Sequence, residues 1–288
     1  LNKLIKSKEL RWKEILHQVM QTKKKFSSKA DPAYMRRTVI GSAPVSVNIP
    51  VDAFIEKEPI TVIFSDKGWI KAAKGHVDLT TEVKYKDGDC GKYMLHAETT
   101  DRLLLFGTNG RFYTIPCDKL PGGRGFGEPV RLMIDLDNDH DIVGLFIYKP
   151  EVKYLLASSA GRGFIVKSED VVAQTKSGKQ ILNVKGDDEA AAICTVEGDS
   201  IAVIGENRKL LLFSVEEVPE MTKGRGVILQ RYKDGGLGDI KTFIKSEGLS
   251  WKTGDKTRLE TDIVAWEGRR SQSGRLPPKG FSRSNKFS

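Results

Sequence analysis

LLLFGTNGRFYTI, Leu103–Ile115, reads as one apolar run, a tight polar turn and a second apolar run. The pattern recurs in TVIFSDKGWIKAAKG at Thr61–Gly75, YLLASSAGRGFIVK at Tyr154–Lys167 and IAVIGENRKLLLF at Ile201–Phe213. Short runs of Val, Ile, Leu, Phe and Tyr that meet at a Gly- or Asn-containing turn predict β-hairpins. The turn centres Gly68, Gly110, Gly161 and Asn207 lie 42, 51 and 46 residues apart. A period of that size marks a repeated supersecondary unit, most often a propeller blade, because one hairpin cannot bury its own apolar faces.

Each hairpin is followed by a longer arm. Those at Asp118–Gly127, Lys176–Lys179 and Thr222–Val227 are Gly-containing, carry Lys or Arg, and lead into apolar strands. A fifth, degenerate unit runs from Leu249 through Trp266 to Phe281. The prediction is an all-β, propeller-like array of about five blades over residues 55–282. A sixth blade becomes possible if the segment before it adds a strand. That segment, 38–54, holds Pro44, Pro50 and alternating Val45, Val47 and Ile49, and reads as an extended linker. Ahead of it, Ile5, Trp12, Ile15, Leu16 and Val19 form one stripe at helical spacing, which predicts an N-terminal α-helix within residues 1–37. Such a stripe needs a surface to cover. The chain opens at Leu1 inside this pattern, so the expectation is a piece of a longer polypeptide whose upstream domain receives the helix.

Charge is distributed unevenly along the 288 residues. The net charge is +9, yet residues 1–37 alone carry +8 and residues 269–288 carry +6, which leaves about −5 for the body between. The last six residues, 283–288, read as a basic tail. Basic asymmetry of this kind suggests a polyanionic partner; solvated faces and a disordered tail are the plainer alternative. No apolar stretch approaches the ~20 residues that span a bilayer. Cys90, Cys117 and Cys194 are few and far apart, as expected of buried free thiols in a reducing compartment.

Little in the sequence points to catalysis. His17, His76, His96 and His140 are scattered and suggest no Ser/His/Asp or Cys/His set. Asp135–Asp141 spaces carboxylates like a calcium loop, but His140 stands where Gly is required and Phe146 where Glu is required, so it reads as a solvated turn. Gly122–Gly127 lacks the order and the helix setting of a phosphate cradle. Its glycines suit either a flexible arm or a backbone that approaches DNA closely.

The repeats carry a recurring cation. Candidate DNA-binding residues are Lys71, Lys74, Arg111, Arg124, Arg131, Arg162, Lys179, Lys223, Arg225, Arg231, Arg269, Arg270 and Arg275. Equivalent positions in successive blades fall at equal angles, so these cations would form a stripe along a rim. Duplex DNA carries one charge per ~1.7 Å of axis, and a curved stripe can hold and bend it without reading sequence. Ordinary solubilising surface charge is the competing account, and a propeller scaffold for an acidic protein partner is the rival function.

Several longer phrases resemble one family. EPITVIFSDKGWIKAAKGH (58–76), LHAETTDRLLLFGTNGRFYTI (95–115), KLPGGRGFGEPVRLMIDL (119–136), GKQILNVKGDDEA (178–190), VIGENRKLLLF (203–213), LQRYKDGGLGD (229–239) and GRLPPKGFSRSN (274–285) are similar to the C-terminal region of bacterial DNA topoisomerase IV A subunits. Residues 1–37 resemble the helical end of the breakage-reunion core. The resemblance implies a β-pinwheel, in which blades exchange strands, with duplex DNA bent around a basic rim to present the segment for strand passage, decatenation and supercoil relaxation. It also implies a non-catalytic fragment of an ATP-hydrolysing enzyme, with no cofactor of its own. The tyrosine nucleophile, Mg2+-binding acids and ATPase belong to other segments or to the topoisomerase IV B subunit. The implied location is the cytoplasm, with the nucleoid, and no membrane is required. Gyrase A subunits, which wrap DNA and carry a Q-R-R-G-G-K-G box, are close relatives. Here the nearest segments are the degenerate Gln230–Gly236 and Pro121–Gly125, which favours partial bending over gyrase-type wrapping.

Overall fold

The computed structural model describes residues 2–27, 55–123, 125–254 and 256–287. The chain divides into two compact units, residues 1–50 and 51–288. The expected linker 38–54 and the candidate Arg124 lie outside the described residues.

In the first unit, α1 (Asn2–Lys6) and α2 (Lys8–Phe26) replace the single helix read from the stripe. Ser7 divides them: its backbone is extended and its hydroxyl accepts from the Leu10 amide at 3.4 Å, a serine N-cap. Lys23, Lys24 and Lys25 occupy the last turn, where cations face the negative end of the helix dipole. Ile5, Trp12, Ile15, Leu16 and Val19 are all exposed.

The second unit is built of hairpins. They are β1 (Pro59–Ser65) with β2 (Trp69–Lys74), β4 (Arg102–Gly107) with β5 (Arg111–Pro116), β8 (Lys153–Ser158) with β9 (Arg162–Lys167), β12 (Ser200–Gly205) with β13 (Leu210–Ser214), and β16 (Leu249–Thr253) with β17 (Lys256–Glu260). These are the five repeats expected. Four turns close with the same backbone bond: Gly68 to Ser65, Gly110 to Gly107, Gly161 to Ser158 and Arg208 to Gly205, at 2.9–3.1 Å. The residue ending each turn is left-handed: Gly68, Gly110 and Gly161 at φ 79°, 73° and 73°, and Arg208 at 58°. The fourth repeat is therefore aligned on Arg208, one residue later than the Asn207 read from the sequence. Asn207 holds the turn locally: its side chain accepts from the Lys209 amide at 3.2 Å, an asparagine turn.

The first strand of each of the first four hairpins pairs on its other side with a strand supplied later in its repeat: β3 (Gly91–Glu98), β7 (Ile142–Ile147), β11 (Ala190–Thr195) and β15 (Leu237–Phe243). These inner strands neighbour one another in succession, β3 with β7, β7 with β11, and β11 with β15. Side chains along one strand then alternate between two inter-sheet cores. Leu103 and Leu105 pack with Val62 and Phe64, whereas Leu104 and Phe106 pack with Tyr154, Leu156 and Phe164. Leu155 and Ala157 join Ile201 and Val203, and Ala202 and Ile204 join Leu249 and Trp251. A strand buried on both faces needs a continuous apolar run, which is why β4, β8 and β12 read as LLLF, YLLA and IAVI. Each fully buried Leu or Phe contributes about 1.5–3 kcal/mol. Among the described residues, no apolar cluster joins the fifth hairpin to the first.

The C-terminal segment departs from expectation. Residues 283–287 pack against the fourth and fifth repeats instead of trailing away as a basic tail. Phe287 is buried edge-on to Phe281, its amide donates to Asp239 at 2.8 Å, and its carbonyl accepts from the Lys252 amide at 2.9 Å. Phe287 was the overlooked signal: an apolar residue six positions after Phe281, placed to complete the same core, outweighs Arg283 and Lys286 between them. Cys117 is buried, and burial pushes its thiol up to about 12, whereas Cys90 is exposed, contrary to the buried-thiol expectation.

Candidate nucleic-acid interface

After its second strand each hairpin sends out an arm, and from the second hairpin onward that arm returns to the hairpin before it. β6 (Glu128–Pro129) pairs with β2, β10 (Lys179–Gln180) with β5, and β14 (Val227–Ile228) with β9. The arm after the fifth hairpin bridges to β13, with Arg275 and Leu210 exchanging backbone bonds at 2.7 and 2.9 Å. Three arms end on one latch: the amides of Val130, Ile181 and Leu229 donate to the carbonyls of Gly68, Gly110 and Gly161 at 2.8, 3.1 and 2.8 Å. Neighbouring arms also bond to each other. Asn183 donates to Gly224 at 2.7 Å and Gly224 to Ile181 at 2.9 Å; Ser271 donates to Leu229 at 2.8 Å and Arg231 to Gln272 at 3.1 Å. The returning strand is thus the edge opposite the inner strand in the first three sheets, and the arms join into a belt along that edge. Glycine is needed where the belt lies against a hairpin. A Cβ on Gly226, at φ 71°, would meet the Gly163 carbonyl oxygen at 2.3 Å.

The belt carries most of the candidate cations, and the structure sorts them. Lys179, Lys223, Arg225, Arg231, Arg269 and Arg275 are exposed on returning arms. Lys71, Arg111 and Arg162 are half-buried on the outer hairpin strands, each turned toward an arm carbonyl: Gly125 at 3.1 Å, Ser177 at 2.8 Å and Gly226 at 3.4 Å. Lys74 is highly exposed and pairs with Glu58 at 3.4 Å. Two others are committed internally. The Arg131 guanidinium donates to the carbonyls of His140 at 2.6 Å and Asn138 at 3.4 Å and lies 3.4 Å from an Asp141 carboxylate oxygen. It pins the Asp135–Asp141 turn with its own positive charge. Arg270 donates to the carbonyls of Glu217 at 3.0 Å and Ile228 at 2.8 Å, clamping the last arm to the one before it.

Local acids on the belt are partly neutralised by the same fold. Glu220 bonds to Lys153 and lies near Lys167, and the Lys153 hydrogen bond holds its carboxyl below the usual range. Glu267 pairs with Lys245 at 2.9 Å. Arg111 and Arg162 follow the turn glycines Gly110 and Gly161, Lys209 follows Arg208, and Trp69, after Gly68, breaks the series. Lys86 restores it, its ammonium 3.6 Å from the centroid of the Trp69 ring. Sequence reading missed Lys86; an aromatic at the cation position of the repeat was the available signal. No group of three or more His, Cys, Asp or Glu that could hold a metal occurs among the described residues.

Comparison with known proteins agrees with this architecture. Residues 101–149, 153–193 and 199–243 match the family described as DNA gyrase C-terminal domain, beta-propeller. The A subunit of DNA topoisomerase 4 from Rickettsia conorii is 46% identical over 290 residues, covering 98% of this chain and 38% of that protein. Its counterpart in Caulobacter vibrioides is 47% identical over 253 residues, covering 87% of this chain and 33% of that protein. The chain therefore spans only 33–38% of the length of these curated relatives. Among solved structures, the E. coli ParC C-terminal domain superposes with a TM-score of 0.67 at 25% identity, covering 78% of this chain and 96% of that one. The C-terminal domain of DNA gyrase A shares the fold, with a TM-score of 0.54 at 18% identity over 75% of this chain and 76% of that one.

Proposed function

Because this chain belongs to the family of β-propeller C-terminal domains found in gyrase and topoisomerase IV, we propose that its belt of arms binds duplex DNA without reading sequence and bends it along the outer edge. One observation carries the reading: arms from successive repeats are returned to the same edge and joined there, so their cations line one continuous surface. Each phosphate neutralised releases counterions, and the stripe supplies exposed cations at repeated intervals. Lys179, Lys223, Arg225, Arg231, Arg269 and Arg275 are the proposed phosphate contacts, with Lys71, Lys74, Arg111, Arg162 and Lys86 beside them. Arg124, outside the described residues, remains a candidate by its place in the same arm. Arg131 and Arg270 serve the scaffold.

In the full-length protein this domain would capture and orient the transported duplex for decatenation and supercoil relaxation. It contributes no catalytic group, while the upstream core and the topoisomerase IV B subunit supply cleavage, Mg2+ and ATP hydrolysis. The setting would be the cytoplasmic nucleoid; no helix among the described residues is long and apolar enough to cross a membrane. Partial bending fits better than a full wrap. The Q-R-R-G-G-K-G box of the wrapping relatives is missing from the sequence.

The direct test is fluorescence anisotropy with two unrelated duplexes of equal length. Equal affinities that collapse in a Lys179→Glu, Lys223→Glu, Arg225→Glu variant support the belt. Unchanged affinity in that variant removes it from the site.

A further inference from the structure

The last arm presents bulky apolar side chains among its cations, as the arm after the second hairpin does with Phe126 and Leu132. Leu276 is 71% exposed, as is Val264 on the same arm. Single exposed apolar residues are ordinary on protein surfaces, and exposure alone assigns nothing. The way Leu276 is held is the informative feature. Arg275 beside it is fixed by two backbone bonds to Leu210, at 2.7 and 2.9 Å. The Trp266 indole donates to the Leu276 carbonyl at 2.6 Å. Pro277 and Pro278 follow and restrict the backbone. Leu276 is therefore a rigidly mounted apolar tip, and the fold gains no core burial from its side chain.

Its surroundings are cationic. Arg275 and Lys279 flank it in sequence, both exposed, and Arg269 is exposed on the same arm. Of the two acids on this arm, Glu267 is paired with Lys245 at 2.9 Å, and exposed Asp262 lies 14 residues before Leu276 in sequence. An apolar partner protein would meet a charged rim around a single leucine, which suits it poorly. A duplex matches both parts: phosphates for the cations and a base step for the leucine. Leu is among the side chains that wedge between base pairs from the minor groove, partly unstack them and kink the helix toward the major groove.

We propose that Leu276 is a DNA wedge that enters one base step where the duplex crosses the last arm, with Arg275 and Lys279 holding the flanking phosphates. The proposal rests on the DNA-binding reading of the belt. It deepens that reading by placing a kink at one end of the path. A wedge pays an unstacking cost on intact DNA, so it binds more tightly where stacking is already broken. Flexible pyrimidine–purine steps, such as TA, are the intact sites it would favour.

The test uses the whole chain, a duplex of about 40 base pairs, long enough to reach along several arms, and the same duplex with a single-nucleotide bulge at its centre. The wild type is expected to favour the bulged duplex by about tenfold, with increased fluorescence from a 2-aminopurine placed beside the bulge. In Leu276→Ala the preference should fall to within about twofold of unity, while the salt slope stays near wild type because leucine carries no charge. Leu276→Phe, which keeps a bulky tip, should restore the preference. An Ala variant that retains the wild-type preference and 2-aminopurine signal overturns the wedge. So does a wild type that binds intact DNA with a steep salt slope but shows no preference, a result that leaves the belt standing. Absence of duplex binding by the wild type overturns the belt, and the wedge with it.

Discussion

The amide of Leu182 donates to the carbonyl of Gly110 over 3.0 Å, and a methyl group on Gly110 would sit 2.1 Å from the Leu182 carbonyl oxygen. Turn and returning arm are that close because the arm is the outer strand of the preceding hairpin's sheet. Gly110 serves twice, supplying a left-handed turn residue at φ 73° and leaving room for the strand that the next repeat returns.

Gly110→Ala should therefore cost more than Gly68→Ala. Gly68 is also left-handed, at φ 79°, but its nearest neighbour to an added Cβ is Val130 Cγ1 at 3.7 Å. Backbone strain alone predicts a loss of about 1 kcal/mol at Gly68. At Gly110 the added clash with a backbone oxygen should raise the loss to roughly 2–4 kcal/mol, as expected when a special backbone position is also overpacked. Denaturant unfolding of the two variants checks the order; equal losses would mean that the latch is loose.

The fourth turn offers the reverse experiment. Arg208 occupies the position that glycine holds in the first three turns, at φ 58°. Its guanidinium reaches Ser282 only at 3.5 Å, a marginal bond. Arg208→Gly should stabilise the protein by about 0.5–1 kcal/mol, since relief of left-handed strain exceeds the added entropy of glycine in the unfolded chain. A lower Tm for this variant would contradict the turn assignment.

Asp239 supplies a pH dependence. Burial, the largest influence, raises its carboxyl above the ordinary 3.8, against the opposing hydrogen bonds from the Phe287 and Ile240 amides. A raised carboxyl binds its proton more tightly in the folded state, so its stabilising effect is complete below the unfolded value. The effect is lost as pH rises through the higher folded value. The difference Tm(wild type) minus Tm(Asp239→Asn) should therefore fall as pH climbs upward from about 3.8. A difference that grows over that window would show the carboxylate to be favoured in place.

Two arginines separate scaffold from interface. Arg270→Ala leaves the carbonyls of Glu217 and Ile228 without this donor and should cost about 1–3 kcal/mol of stability. It should barely change the salt dependence of DNA binding. Arg225→Ala should do the opposite, reducing the slope of log K against log salt by about 0.9 if it removes one phosphate contact. If Arg270→Ala flattens the slope while Arg225→Ala does not, the two residues have been assigned to the wrong roles.

What the sequence revealed follows from how local each feature is. The hairpins were legible because strands buried on both faces need unbroken apolar runs and each turn closes within four residues. The return of each arm to the previous hairpin was not legible. Val130 and Gly68 are 62 residues apart, and β6, β10 and β14 are two residues long, too short to show an alternation of their own. The cation stripe was readable as a recurrence, but composition gives an arginine on the belt and one clamped to carbonyls the same appearance. Arg131 and Arg270 were grouped with the free cations for that reason. Lys86 was passed over because its partner, Trp69, lies 17 residues earlier.

The central claim is that the belt holds and bends duplex DNA. Its most direct measurement is the end-to-end distance of a long, end-labelled duplex bound to the chain across a salt titration, with a short duplex as control. The account predicts sequence-tolerant binding that weakens steeply with salt and shortens the long duplex by less than a full wrap would. Binding that is absent or insensitive to salt would contradict it and assign the basic arms to another partner.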